Sequence, residues 1–163
     1  MSFFKKLKNM IGSTGVKLEY TWIENPFPFK DPMIKATLQA TAEHEEITIV
    51  GVTGTFYAQR TVDGREDKLI LGTDKSTLDH CSRVERNGEY VSMLPDVLKP
   101  GTSSSYGLFV NNMDLAASLA AWGINSPAAA AQKGVKFFLK GEVDVKETLE
   151  AFDPSIIQEI NVV

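Results

Sequence analysis

Cysteine occurs once in this chain of 163 residues, at Cys81, so no disulfide can form within it. Stability must then come from the core, and a chain of this size buries roughly 70% of its unfolded surface, enough for one. A lone thiol also fits a reducing compartment. Histidine occurs twice, at His44 and His80. Two imidazoles and one thiol do not make the dense ligand set of a structural zinc site, so no metal or cofactor is expected. No run of about 18 apolar residues is present, which excludes a membrane-spanning helix on sequence grounds. The opening stretch MSFFKKLKNMIGSTG puts its lysines after the phenylalanines, and no apolar core of about 7–15 residues follows. It does not read as a secretory signal, and a cytoplasmic location is expected. Positive charge is in deficit too: 17 Lys and Arg stand against 21 Asp and Glu, a net charge of −4. A general nucleic-acid binder needs the opposite balance, so no nucleic acid is expected as a partner.

What the chain does have is alternation. Residues 2–11 are helical in spacing, with Phe3, Phe4, Leu7, Met10 and Ile11 on one side and Lys5, Lys6, Lys8 and Asn9 on the other. Gly12 and Gly15 end that pattern, so residues 1–14 read as an amphipathic helix and joint before a single domain at 15–163. From Val16 the period becomes two: Val16, Leu18, Tyr20 and Trp22 alternate with Lys17, Glu19 and Thr21. Asn25-Pro26-Phe27-Pro28 interrupts the ladder, and Met33–Ala42 reads as the next strand. Ile47–Val62 is a long strand whose apolar parity switches near Ile49-Val50, which predicts a bulge there. Asp63-Gly64 and Asn87-Gly88 are hairpin turns. Strands are predicted at Lys68–Gly72, Ser76–Glu85, Glu89–Leu94 and Ser104–Val110.

Asn112–Gly134 breaks the pattern: it is alanine-rich and helical, and Ser126-Pro127 opens a second short helix as N-cap and first position. Val135–Val163 returns to strand, with a corner on Asp153-Pro154 and a closing strand. The segment Glu147–Asp153 is expected to carry the chain from one sheet to the other. About eight or nine short strands with turn dipeptides, and too few crossover helices for a parallel sheet, define an all-β, two-sheet antiparallel sandwich.

Four stretches resemble one family. Met1-Ser2-Phe3-Phe4-Lys5-Lys6 with its glycine joint, Val16–Leu18 leading through a proline turn to Pro32–Ala40, Tyr90–Pro95 followed by Lys99-Pro100, and Val135–Asp144 with Phe152-Asp153-Pro154 are similar to the arrestin-like, immunoglobulin-like sandwich of the bacterial SpoOM sporulation-control proteins. The first turn carries Phe29-Lys30 and Asp31-Pro32 where the family has Pro-Gly, and the helical insert at 112–134 lies outside the basic pattern. The resemblance implies a non-catalytic scaffold or regulatory adaptor that acts through protein–protein contacts in sporulation or stress control.

The residues themselves offer no catalytic set. His80 and Cys81 are adjacent, and adjacent side chains on a strand face opposite ways, so they cannot act together. Gly51-Val52-Thr53-Gly54 lacks the Gly-Lys-Ser/Thr ending of a phosphate loop and sits within a strand. Two contact surfaces remain. In one, Phe3 and Phe4 with Lys5, Lys6 and Lys8 dock on the sandwich or meet an anionic membrane, where three lysines contribute roughly 3 kcal/mol of weak, reversible binding. In the other, Leu115, Leu119 and Trp122 either cap the core or form an apolar patch for an unknown protein partner. Open strand edges leave a homodimer as a further expectation.

Overall fold

The protein is represented by a computed structural model that describes residues 15–148 and 153–163. Its strands are β1 (Val16–Ile23), β2 (Ile34–Ala42), β3 (Ile47–Val62), β4 (Arg65–Thr77), β5 (Arg83–Arg86), β6 (Glu89–Ser92), β7 (Asp96–Leu98), β8 (Ser103–Val110), β9 (Lys136–Val145) and β10 (Ser155–Ile160). Two short helices, α1 (Leu115–Leu119) and α2 (Pro127–Gln132), stand between β8 and β9. Sheet I has the order β1-β2-β8 and sheet II the order β10-β9-β3-β4, with β7 on β3, while β5 and β6 form a separate hairpin. All of these pairings are antiparallel. The described residues thus form the all-β sandwich expected from the sequence.

Period-two burial builds the core. Along β2 the buried residues are Ile34, Ala36, Leu38, Ala40 and Ala42, and along β8 they are Tyr106, Leu108 and Val110. On β3 the inward set is Ile47 and Ile49, then Val52, Phe56 and Ala58. The switch falls where the β3–β9 register shifts between Ile49 and Gly51, so the predicted bulge is present and turns the later residues inward. Both two-residue turns have the positive φ values of a primed turn: 51° and 76° at Asp63 and Gly64, and 53° and 80° at Asn87 and Gly88.

Several expectations are corrected. Lys68–Gly72 and Ser76–Thr77 belong to one strand, β4, because it keeps pairing with β3 from Val62↔Arg65 to Gly51↔Thr77 across a bulge at Leu71. The remainder to Glu85 is a bend and the start of β5, and β6 stops at Ser92. β7 was not foreseen, since its three residues follow a proline and are too few to show alternation. Trp22 points outward and is 53% exposed, because a register shift between Tyr20 and Trp22 hands the inward position to Ile23. His80 and Cys81 lie in the link after β4 rather than on a strand; His80 is exposed, and Cys81 packs against the core. The corner at 147–153 does not change sheets: β10 returns beside β9, with Ser155 opposite Glu142 and Ile160 opposite Phe137. Beyond β10 the chain meets the link between β1 and β2, where Phe27 N–H donates to the Asn161 carbonyl and Val163 N–H donates to the Phe27 carbonyl (2.8 and 2.9 Å).

Candidate functional site

The two surfaces foreseen from the sequence come out differently. Phe3, Phe4, Lys5, Lys6 and Lys8, with the proposed N-terminal helix, lie outside the described residues. Leu115 and Leu119 are in the core, at 2% and 0% exposure, together with Met113, Ile124 and Ala130. Reading them as a partner patch is therefore corrected: the insert closes over the sandwich, and these side chains are unavailable to a partner. Helix α1 begins at an Asp114 cap, whose carboxylate accepts from Ala117 N–H at 3.0 Å. Helix α2 begins, as expected, with Ser126 accepting from Ala129 N–H at 3.1 Å and Pro127 at the first turn. Trp122 is half-buried under the Arg60 guanidinium, 4.2 Å from its ring centroid. Asp67 anchors that guanidinium through two contacts of 3.2 Å.

A buried polar clamp ties the sheets together. Tyr106 on β8 donates its hydroxyl to Asp96 Oδ2 on β7 at 2.6 Å, across the interior between sheets I and II. Arg86 of β5 approaches the same oxygen at 3.3 Å and donates to the Met93 carbonyl at 2.9 Å. Burial is the main cause pushing the Tyr106 phenol far above its ordinary range, with the Asp96 hydrogen bond and charge adding to it. Tyr20, whose hydroxyl donates to the Leu139 carbonyl at 3.0 Å, is likewise raised by burial. Both phenols stay protonated in the folded chain at pH values where an unfolded chain ionises them, from about 10 upward. The stabilisation from these raised pKa values is thus complete below pH 10 and is lost as pH climbs toward the folded values. The two together should steepen alkaline destabilisation by up to about 2.7 kcal/mol per pH unit. Denaturant melts between pH 9 and 11 should show that slope roughly halved in Tyr20→Phe, and an unchanged slope would contradict it.

The outer face of sheet II carries an apolar row whose exposed members are Ile70 and, beside it, Ile157, set around a stack in which Tyr57 is buried, at 7% exposure, and Phe138 half-buried. In one cross-strand row Ile70 stands opposite Tyr57, Tyr57 opposite Phe138, and Phe138 opposite Glu159. Tyr57 and Phe138 stack at 5.4 Å between ring centroids, and the Lys68 ammonium lies 5.4 Å from the Tyr57 ring. Tyr57 faces outward by alternating with the inward Phe56 and Ala58 on β3, and the Leu71 bulge on β4 turns Ile70 outward opposite it. Ile70 is 65% exposed, and Ile157, in the next row opposite Lys140, is 51% exposed. Farther along the same face lies an open cleft of about 590 Å³, lined by Thr53, Lys75, Thr77, Leu78, Glu142 and Asp144 among others. The face thus runs from an apolar row to a mixed hollow whose charged groups are mostly acidic, with Asp79, Glu142, Asp144 and Asp153 around Lys75. The outer face of sheet I is set mainly with Thr37, Gln39, Thr41, Ser103 and Ser105, and carries two exposed aromatic residues, Trp22 opposite Thr37 and Phe109, whose ring folds back over Gly107.

Chemically the cleft has hydroxyls, one ammonium and carboxylates, but neither histidine lines it. Among the described residues no group of three His, Cys, Asp or Glu side chains is placed to hold a metal ion, and no helix is long and apolar enough to cross a membrane. The sheet II row escaped the sequence reading because it depends on cross-strand register. Ile70, Tyr57, Phe138 and Ile157 are far apart in sequence, and only pairing makes them neighbours.

The two facing sheets, with this strand order and the closing β9–β10 pair, make an arrestin-like β-sandwich. Among solved structures the fold is similar to the sporulation control protein Spo0M of Bacillus subtilis, with a TM-score of 0.54 at 12% identity, covering 91% of this chain and 49% of that one. The chain therefore spans about half the length of Spo0M, and at that identity the likeness is one of fold. A protein from Archaeoglobus fulgidus aligns over 88% of this chain and 90% of its own at 12% identity, with a TM-score of 0.41. No family model matches the chain, and no curated protein matches it.

Proposed function

We propose that this protein is a non-catalytic regulatory adaptor that binds a protein partner through the outer face of sheet II. The observation that carries this reading is the pair of exposed side chains Ile70 and Ile157 on one face, backed by the Tyr57–Phe138 stack, of which Tyr57 is buried and Phe138 half-buried, with polar groups on the flanks. The fold shared with Spo0M, a protein named for sporulation control, supports a regulatory role of the same kind. The acidic hollow beside the row favours a partner with a basic segment next to an apolar anchor.

The test is affinity capture from the source cell with wild type and with an Ile70→Asp/Ile157→Asp variant. Both positions are exposed, so the variant should fold, which a thermal melt would verify. Wild type should retain a specific partner and the variant should lose it. Equal recovery by both would remove this face from the account, and turnover of a substrate panel by the purified protein would remove the non-catalytic reading. A second reading, contact with an anionic membrane surface through Lys5, Lys6 and Lys8, is separated by liposome flotation, where it alone predicts a loss on changing the three lysines to glutamate.

A further inference from the structure

The strands that end the two sheets differ in what their outer backbone groups already hold. On β8, Phe109 N–H donates to Asp74 Oδ2 at 2.8 Å. On β10, the Asn25 side chain accepts from Asn161 N–H at 2.9 Å and donates to the Glu159 carbonyl at 3.4 Å. On β1, Val16 already has a partner. The β4 edge of sheet II is different. Its two-residue turn makes Val62 and Arg65 a hydrogen-bonded pair, so Arg65, Asp67 and Leu69 turn their backbone groups toward β3. Glu66, Lys68 and Ile70 then turn N–H and C=O to the edge. Beyond the Leu71 bulge the outward set is Thr73, Lys75 and Thr77, and Thr77 N–H does leave β3, donating to the His80 carbonyl at 2.9 Å. Among the described residues nothing bonds to the outward backbone groups of Glu66, Lys68 or Ile70. All three side chains are exposed. The Glu66 carboxylate accepts from the Gln59 amide at 3.2 Å and the Lys68 ammonium lies near the Tyr57 ring, but neither charge is in an ion pair among the described residues.

We propose that the β4 edge at residues 66–70 receives an extended segment of the partner protein as an added antiparallel strand. The inference deepens the sheet II reading and rests on it for the partner's being a protein. Antiparallel addition continues the pattern of every strand pair in that sheet. Glu66, Lys68 and Ile70 each exchange backbone hydrogen bonds with alternate residues of the segment, whose side chains then lie on the same outer face. Charge fixes the order of those residues. The one opposite Ile70 is apolar, the one opposite Lys68 acidic and the one opposite Glu66 basic. From its N-terminus the segment therefore reads apolar-x-acidic-x-basic. Its apolar residue covers Ile70 at the border of the Tyr57–Phe138 stack. A second copy of β4 does not supply this order, because self-pairing about Asp67 or Lys68 sets like charges opposite each other.

Fluorescence polarisation of two labelled peptides with the full chain tests this. The probes are Thr-Ile-Thr-Glu-Thr-Lys-Thr and its charge-exchanged form Thr-Ile-Thr-Lys-Thr-Glu-Thr. Wild type should bind the first about tenfold more tightly, since the exchange turns both cross-strand charge pairs from attractive to repulsive. The Glu66→Lys/Lys68→Glu variant should invert that preference, which an unfolded variant could not do. Residue-resolved hydrogen exchange should show the first peptide slowing the amides of Glu66, Lys68 and Ile70. Ile157→Asp, on the opposite border of the sheet, should bind the peptide as wild type does, whereas the outer-face reading expects it to weaken partner capture. Failure of that reading thus leaves the peptide result standing, and failure of the peptide leaves partner capture through the face standing. Binding of neither peptide, as expected if Lys68 and the bulge only keep the edge single, would overturn the proposal. So would equal binding of the two, an unchanged preference in the charge-exchanged variant, or amide protection confined to another strand.

Discussion

Replacing Phe56 with alanine should lower the unfolding free energy by about 4 kcal/mol and the melting temperature by about 8–16 °C. Phe56 is fully buried in the middle of β3, the strand that β4, β7 and β9 all join. Its ring meets Phe27 edge-on at 5.4 Å and stacks on Phe137 at 6.1 Å. Phe27 belongs to the link between β1 and β2, and Phe137 to β9, so one ring joins parts of both layers. Truncation removes the transfer term, leaves a cavity and unpairs two aromatic contacts at once. Ile70→Ala, an exposed position on the same sheet, should change stability by no more than about 0.5 kcal/mol. Urea denaturation of both variants checks the contrast, and similar losses would mean that the inward and outward faces of β3 and β4 are wrongly assigned.

Asp96→Ala should cost about 3 kcal/mol. The change strands a buried hydroxyl on Tyr106 and removes the carboxylate facing Arg86. The loss is held to the low end for a buried pair because the Arg86 side chain is 35% exposed and keeps its bond to the Met93 carbonyl, so water reaches its charge. Asp96→Asn retains an acceptor for Tyr106 and should cost about half as much. Hydrogen exchange should also quicken in β5 and β6 in the alanine variant, because Arg86 is their polar tie to β7. A loss below about 1 kcal/mol would show that the clamp is not holding the sheets.

Much of the fold was legible because the signals were local. Period-two burial in β2, the parity switch in β3, and the Asp63-Gly64 and Asn87-Gly88 turns each lie within a few residues, and each has a direct physical cause. Trp22 was misread because a one-residue bulge reverses every side chain beyond it, and nothing at Thr21 announces one. The sheet change at 147–153 was misread for a related reason. An acidic turn before a proline marks a corner but does not say which neighbour the next strand will find, and β10 finds β9. Leu115 and Leu119 had correct helical spacing, but spacing gives a face and not what covers it; here it is the open side of the core. The candidate surface was the least legible feature, since Ile70, Tyr57, Phe138 and Ile157 become one patch only through three separate strand registers.

The most direct test of sheet II as the contact face is hydrogen exchange of the protein with and without its captured partner. Protection should rise along β4 around Ile70 and along β10 around Ile157, with sheet I unchanged at Thr37 and Gln39. Protection confined to sheet I, or absent from both faces while the complex remains intact, would contradict it.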